Sequence, residues 1–183
     1  MNGTPSVIYL SPIGVQLFEE RLAQQRKVHA QICQDREIAH ELSGDGWHDN
    51  PDFNRLQQLE ANSTWKLKEL EHVLTFAQRY SAEEGARPTE RVQVGSVVKV
   101  LMYDAETDEA RERIFEVVGY QESDPKQACI SYNAPLAKCL LGLRPGEITS
   151  AQIGHEELEL EVVSLFRSRQ EGGLPERVSP ESP

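Results

Sequence analysis

Acidic side chains crowd into one short, glycine-flanked stretch, residues 43–53, which reads SGDGWHDNPDF. Asp45, Asp49 and Asp52 stand there beside a histidine and a tryptophan, with no lysine or arginine inside the stretch. One interpretation is a solvated turn, because Asp and Asn are common turn and capping residues. The other is a set of carboxylates presented to a metal ion that another molecule holds, since Mg²⁺ prefers hard oxygen ligands. The residues of the stretch alone leave both interpretations open.

A private zinc or copper site is a weaker interpretation of the same stretch. His48 stands next to Asp49, but Cys33, Cys129 and Cys139 are scattered along the chain and match no zinc-binding spacing. Their odd number suits a reducing compartment. We therefore expect the cysteines to be packing residues, and we expect no tightly bound cofactor.

Two long helices are predicted on either side of the acidic stretch. Ser11 and Pro12 fit an N-cap and a first helical residue, and no proline interrupts the chain from there to about Leu42. The second helix repeats at alternating steps of three and four, the spacing of a coiled-coil seam in which only Glu60 and Ser63 are polar. The seam residues are Phe53, Leu56, Glu60, Ser63, Leu67, Leu70, Leu74 and Ala77. The pattern predicts an antiparallel coiled-coil helical hairpin over residues 1–80, with its acidic tip at 43–53.

The second half of the chain has a different periodicity. Residues 81–92 contain glycine, proline and charge without a repeat, which predicts a linker. Short runs rich in β-branched residues follow and predict strands. The runs cover residues 97–102, 114–118, 128–131, 148–153 and 158–166. With a short helix opening at Pro135, residues 93–166 predict a small α+β domain, and residues 167–183, which have little apolar content, predict a disordered tail.

Charge and hydropathy exclude several classes of function. The net charge of −11 disfavours non-specific adhesion to nucleic acid or anionic lipid, so we expect no direct DNA binding and no membrane contact. The chain shows no basic leader followed by an apolar run, and no stretch approaches the roughly 20 apolar residues that span a bilayer. A cytoplasmic protein is expected.

Three separated motifs, in order, resemble the Gre family of bacterial transcript-cleavage factors. The opening YLSPIGVQLFEERL is similar to the family's Tyr-Leu-Thr-Pro-x-Gly and the Leu- and Glu-rich helix after it. The tip GDGWHDNPDF is similar to Gly-Asp-Leu-x-Glu-Asn-Ala-Glu-Tyr, and residues 130–142 are similar to a segment Ile-Ser-x-x-Ser-Pro that leads into a helix. The resemblance extends from about Tyr9 to Phe166.

The resemblance implies a function for both halves of the chain. The second domain, of FKBP-like fold, would dock on the rim of the secondary channel of RNA polymerase through Asn133, Ala134, Pro135 and Leu136. The hairpin would enter the channel, where Asp45 and Asp49 would help bind a second Mg²⁺ near the 3′ end of a backtracked RNA. The polymerase would then cleave its own transcript, so the chain is expected to be an accessory factor and not an enzyme.

The tip departs from the family motif in ways that bear on this function. Three residues separate Asp45 from Asp49 where the motif has two, and Asp49 stands where the motif has glutamate. Pro51 replaces alanine, which favours Asn50 as N-cap and Pro51 as first residue of the second helix. Trp47, His48, Asn50, Asp52 and Phe53 are expected to support the tip, with Arg36 and Arg55 as the nearby basic residues.

Three other functions stay open at the level of sequence. A non-cleaving Gre homologue would occupy the same channel and inhibit transcription. An FKBP-like domain can be a peptidyl-prolyl isomerase, which needs an aromatic-lined pocket. A hairpin with an acidic tip can also be a coiled-coil adaptor.

Overall fold

Two long helices and a five-stranded sheet are the largest elements of the structure. The computed structural model describes residues 7–81, 83, 85, 87–104, 109–153 and 156–177, and for Asp45, Trp47, His48, Ile153 and Glu156 it describes the backbone alone. By clustering of contacts the chain divides into two compact units. We call residues 15–77 the hairpin unit, and residues 1–14 with 78–183 the sheet unit.

The hairpin unit consists of helix α1 (Pro12–Ser43, whose first turn belongs to the sheet unit), a 3-10 helix (Gly44–Asp49) and helix α2 (Pro51–Phe76). The helices run antiparallel, because contacts between them join residues early in α1 to residues late in α2: Arg26 pairs with Glu71 at 3.0 Å and Arg36 pairs with Glu60 at 2.7 Å. Phe53, Leu56, Ser63 and Val73 are the buried residues of α2. Three of these four belong to the predicted seam, so the hairpin prediction is confirmed.

The described residues of the sheet unit form two sheets. A short parallel pair joins β1 (Tyr9–Leu10) to β2 (Gln78–Arg79). The larger sheet has the order β5-β4-β3-β7-β6 and is antiparallel except for the β4–β5 pair. Its strands are β3 (Val97–Asp104), β4 (Ala110–Val118), β5 (Cys129–Ser131), β6 (Ile148–Ile153) and β7 (Glu156–Phe166), with helix α3 (Pro135–Leu140) between β5 and β6. The predicted α+β class is confirmed.

The core of the sheet unit follows the alternation of its strands. In β7, Leu158, Leu160 and Val162 are buried, while the intervening residue 159 is exposed and 161 is half-buried, as expected where one face of a strand meets a core. Ala137 and Leu140 of α3 pack in the same cluster. Helix α3 therefore covers one face of the sheet and fixes the loop that precedes it.

The boundaries of the sheet unit differ from those expected from sequence. Val92, inside the predicted linker, is 1% exposed in the core and exchanges backbone hydrogen bonds of 2.8 Å with Gly142 and Leu143. Residues 167–177, inside the predicted disordered tail, pack against the sheet unit, and Arg169 is 1% exposed. The physical reason is charge pairing, because arginines of this segment bind buried carboxylates. Residues 178–183 of the predicted tail lie outside the described part of the chain.

Within the described residues, neither long helix carries an apolar window that could span a bilayer.

Candidate functional site

The backbone of the tip is a 3-10 helix over Gly44–Asp49. Gly44 opens it with φ of +53°, a left-handed conformation that glycine adopts without the steric cost of a Cβ atom. A 3-10 helix has 3.0 residues per turn and rises about 2.0 Å per residue, so residues three apart eclipse one another. Asp45 and Asp49 are four apart, which separates their backbones by about 8 Å along the axis and about 120° around it.

Asn50 fixes the junction between the tip and α2. Its Oδ1 accepts hydrogen bonds from the backbone N–H groups of Asp52 at 2.9 Å and Phe53 at 3.4 Å, so Asn50 is the N-cap and Pro51 the first helical residue, as predicted. Its Nδ2 donates to the Ser43 hydroxyl and to the carbonyl oxygen of Ala39. One amide side chain therefore ties the end of α1 to the start of α2.

The acids and aromatics of the tip occupy different environments. Asp49 is exposed, and Asp52 is exposed and lies 3.8 Å from Arg55. Phe53 is buried in the hairpin unit, with its ring centroid 5.7 Å from that of His40. The side chains of Asp45, Trp47 and His48 lie outside the described atoms, so their predicted roles stay predictions.

Both basic residues expected near the tip are engaged by acids of the hairpin. Arg36 binds Glu60, one of the two polar residues in the predicted seam, and Arg55 faces Asp52 one turn away on α2. Glu60 also accepts a contact of 3.7 Å from the Cys33 thiol. Burial, followed by the nearby Glu60 carboxylate, raises the pKa of that thiol. Cys33 is therefore a packing residue of the hairpin, as expected, and not a ready nucleophile.

The predicted docking loop lies at the start of α3. Asn133 and Pro135 are exposed, Ala134 is half-buried and is the N-cap residue of α3, and Pro135 is its first residue. Leu136, the fourth residue expected to take part in docking, is half-buried against the sheet core. Asn133 and Pro135 are thus the members of the predicted set that a partner can reach most readily.

Hydrogen bonds from a neighbouring turn, residues 119–123, hold this loop. The Ser131 N–H donates to the Ser123 hydroxyl at 2.8 Å, and the Ser131 hydroxyl lies 2.6 Å from the Gly119 carbonyl oxygen and 2.6 Å from Oδ1 of Asn133. Tyr132 donates its hydroxyl to the carbonyl oxygen of Val7 at 2.9 Å. Burial raises the pKa of the Tyr132 phenol.

Sequence reasoning missed Glu122, which lies in the same turn and is 5% exposed. Its Oε1 accepts the Ser11 N–H at 2.9 Å and its Oε2 accepts the Ser11 hydroxyl, which in turn accepts the Gly14 N–H at 3.0 Å. A Cβ atom placed on Gly14 or on Gly119 would lie 2.1 Å from the Glu122 carboxylate. The signal was the opening motif, whose glycine is explained by the space that this carboxylate occupies.

The described residues do not form a metal site by themselves. Among them, no three His, Cys, Asp or Glu side chains are grouped to hold an ion. The carboxylate of Asp49 is nonetheless the hard oxygen donor that Mg²⁺ takes, and it is exposed. A Mg²⁺ ion bound by Asp49 would need further ligands from water, from the tip side chains outside the described set, or from a partner.

Comparison with known proteins places the chain in a family. The model of "Transcription elongation factor, GreA/GreB, C-term" matches residues 87–166. The transcription elongation factor GreA of a Nitratiruptor species is 31% identical over 118 residues, which cover 64% of this chain and 69% of that protein. The chain belongs to the GreA/GreB family of transcription elongation factors.

A second Gre-family relative matches over a longer stretch. The GreA protein of Acetivibrio thermocellus is 28% identical over 162 residues, 88% of this chain and 98% of that protein. Among solved structures, GreA factor homolog 1 (Gfh1) of Thermus thermophilus is 25% identical and is covered over 99% of its length, with 87% of this chain, at a TM-score of 0.39. That TM-score is too low to support a conclusion about fold or function. Family membership therefore rests on the sequence matches.

Proposed function

We propose that this elongation factor binds RNA polymerase in the bacterial cytoplasm and stimulates cleavage of backtracked transcripts. The sheet unit would dock at the rim of the secondary channel, and the hairpin would carry the tip carboxylates to the active centre. The observation that carries the proposal is the tip itself: a hairpin of two long helices ends in a short acid-bearing turn in which Asp49 is exposed.

The residues of the tip have separate tasks in this proposal. Asp49, together with Asp45, would provide oxygen ligands for a Mg²⁺ ion shared with the polymerase. Such an ion, when bound, supplies charge stabilisation for the attacking and leaving oxygens of a phosphodiester. Asn50 and Ser43 would hold the turn in place, because their hydrogen bonds join both helices at its base. Hydrolysis itself belongs to the polymerase.

A transcript-release assay tests the chemistry. The purified protein is added to a stalled, backtracked elongation complex of its own polymerase, and the release of the 3′ fragment is followed. Stimulation by the wild type that is lost in Asp45→Asn and in Asp49→Asn supports the proposal. Glu19→Gln, an exposed acid of α1 away from the tip, is the matched control and should keep full activity. Binding with inhibited synthesis and no fragment would assign the protein to the non-cleaving homologues.

The spacing of the acids provides a second, more specific test. Deleting Gly46 brings Asp45 and Asp49 to a separation of three, which places them on the same side of a 3-10 helix. Gly46 has open space around its missing Cβ, so Gly46→Ala keeps the length of the tip and serves as the control. We expect the deletion to change the cleavage rate by about tenfold or more, because a ligand displacement of about 1 Å can alter rates a hundredfold. Equal rates for all three proteins would show that the spacing is irrelevant.

Docking is tested at the loop before α3. Asn133→Ala and Pro135→Ala change exposed residues and should weaken polymerase binding. Pro135→Ala should leave the melting temperature nearly unchanged, whereas Asn133→Ala also removes an acceptor of the Ser131 hydroxyl and should lower it slightly. Leu136 is unsuitable because it packs against the core. Glu157→Gln, an exposed residue of β7, is the control. Undiminished binding by a well-folded Asn133→Ala, Pro135→Ala double variant would exclude this loop as the interface.

A further inference from the structure

The segment 168–177, which lies C-terminal to the residues matched by the family model, packs on the sheet unit through two arginines. Arg169 binds the Glu116 carboxylate and donates to the carbonyl oxygens of Pro175 at 2.7 Å and Gln127 at 2.6 Å. Arg177 donates through Nη2 to Oε2 of Glu122 at 2.6 Å and through Nη1 to the Ser11 hydroxyl at 3.3 Å. We call this segment the C-terminal strap.

The two carboxylates differ in how much they depend on the strap. Glu116 is 0% exposed and also binds Arg87 at 2.7 Å, an arginine outside the strap. The Glu122 side chain is 1% exposed, and the arginine that binds it is Arg177. Because an uncompensated buried charge is strongly unfavourable, loss of Arg177 acts chiefly on Glu122. Burial acts to lower the pKa of Arg177, but its hydrogen bond and charge pairing with Glu122 outweigh that effect and raise it.

Glu122 connects the strap to two functional elements of the sheet unit. Through Ser11 it holds the N-cap of α1, since Ser11 accepts the Gly14 N–H that begins the helix. Through the turn 119–123 it braces the docking loop, because Ser123 and Gly119 of that turn bind the N–H and the hydroxyl of Ser131. Movement of Glu122 toward solvent would therefore loosen both elements at once.

We propose that the C-terminal strap is a positioning device for polymerase docking, in which Arg177 holds Glu122 and thereby fixes both the docking loop and the first turn of α1. This inference rests on the proposed function. Arg177 does not touch the docking loop and acts on it through Glu122. It acts on the first turn of α1 both through Glu122 and through its own contact with the Ser11 hydroxyl.

The first experiment measures amide hydrogen exchange in the free protein and needs no polymerase. Arg177→Gln should accelerate exchange at the Ser11, Gly14 and Ser131 amides by roughly tenfold or more, since a hydrogen bond to a charged group contributes that much to local closure. In Arg177→Gln, exchange in β3 should stay as in the wild type. The control variant is Arg167→Gln, which changes an exposed arginine ten residues away in the same C-terminal region and should exchange like the wild type throughout. Unchanged exchange at all three amides would overturn the proposal.

A compensating variant separates charge pairing from simple packing. Adding Glu122→Gln to Arg177→Gln removes the buried charge that the strap neutralises, so exchange should return part of the way to the wild-type rate. Additive acceleration in the double variant would show that Arg177 acts by filling space, which contradicts the proposed mechanism. If Arg177→Gln fails to fold, Arg177→Lys keeps the charge and provides the same comparison with a smaller expected acceleration.

Polymerase binding completes the test. Arg177→Gln should bind on the order of five- to tenfold more weakly than the wild type, a typical coupling between two sites. Accelerated exchange with wild-type affinity would overturn the docking role of the strap. If the wild type itself does not bind polymerase, the proposed function fails and the docking role fails with it, while the exchange data still report whether the strap holds the loop.

Discussion

Carboxylates at the tip of the hairpin and carboxylates in the sheet unit stand in opposite surroundings. Asp49 is exposed at the end of a 3-10 helix, whereas Glu116 and Glu122 are buried and bound by arginines. A buried carboxylate must be paired, because its charge loses the stabilisation of water. An exposed carboxylate stays hydrated and can exchange water for a metal ion. The same functional group is thus structural in one unit and available for chemistry in the other.

The largest effect on stability is expected at the centre of the buried cluster. Glu116→Gln leaves Arg87 and Arg169 without their shared counter-ion and should lower the free energy of unfolding by about 3–5 kcal/mol. Urea denaturation followed by fluorescence checks this value. Glu112→Gln on the same strand is the control, because the Glu112 side chain is 56% exposed and its pair with Lys99 should contribute less than about 1 kcal/mol. Equal losses in the two variants would contradict the assigned roles.

A smaller effect is expected at the base of the tip. Asn50→Ala removes the N-cap of α2 and the bonds to Ser43 and Ala39, and it should cost about 1–2 kcal/mol. Helix content by circular dichroism during denaturation measures the loss. Asn62→Ala, at an exposed position inside α2, should be neutral or slightly stabilising because alanine is the better helix former. An unchanged free energy of unfolding in Asn50→Ala would mean that the tip does not depend on this cap.

A still smaller and pH-dependent effect is expected at Asp124, which caps the short 3-10 helix Pro125–Gln127. The hydrogen bond from the Gln127 side chain, with those from nearby backbone amides, lowers the pKa of Asp124. A lowered folded-state pKa gives stability that is present above the unfolded value of about 3.9 and is lost as pH falls through the folded value. Asp124→Ala should therefore cost about 0.5–1 kcal/mol at pH 7 and less in acid.

The melting temperature as a function of pH tests this expectation. Asp124→Asn keeps an acceptor for the cap but carries no charge. It should therefore remove the pH dependence of the cap while retaining most of its stabilisation at neutral pH. If the difference in melting temperature between the wild type and Asp124→Ala stayed constant from pH 7 down to pH 3, the result would be inconsistent with a carboxylate cap.

The smallest effect on stability is expected at the tip acid itself. Asp49→Asn should change the free energy of unfolding by less than about 0.5 kcal/mol, because the side chain is exposed. The same substitution should abolish stimulated transcript cleavage if the proposed function holds. A large stability loss would show that Asp49 is a structural residue, and the contrast between the two groups of carboxylates would not hold.

The features predicted from sequence are those governed by local rules. Asn50 and Pro51 start α2 because an amide cap and a proline are favourable at these positions in any protein. The run at residues 158–166 likewise predicted β7 from its composition. The strap was missed because its low apolar content predicts disorder. That rule fails when polar residues bind buried partners, and here Arg169 binds Glu116 and Arg177 binds Glu122, both far away in sequence. Val92 was missed because one valine makes no periodic pattern.

The tip was predicted in outline but not in detail. Motif resemblance located its acids, and capping rules placed Asn50, yet nothing in the residues predicted a six-residue 3-10 helix over Gly44–Asp49. Such helices are uncommon beyond three or four residues, so local propensity argues against one. Only the structure therefore shows how the added residue rotates Asp49 relative to Asp45.

The parallel pairing of β1 with β2 has a consequence for how this chain can be re-engineered. Tyr9 lies opposite Gln78 and Leu10 opposite Arg79, so the polypeptide departs toward α1 and returns from α2 at neighbouring positions of one small sheet. Residues 15–77 are therefore an insertion between two strands of the sheet unit that pair with each other. Hairpins with other tips can be exchanged between these two paired strands without cutting any strand of the five-stranded sheet.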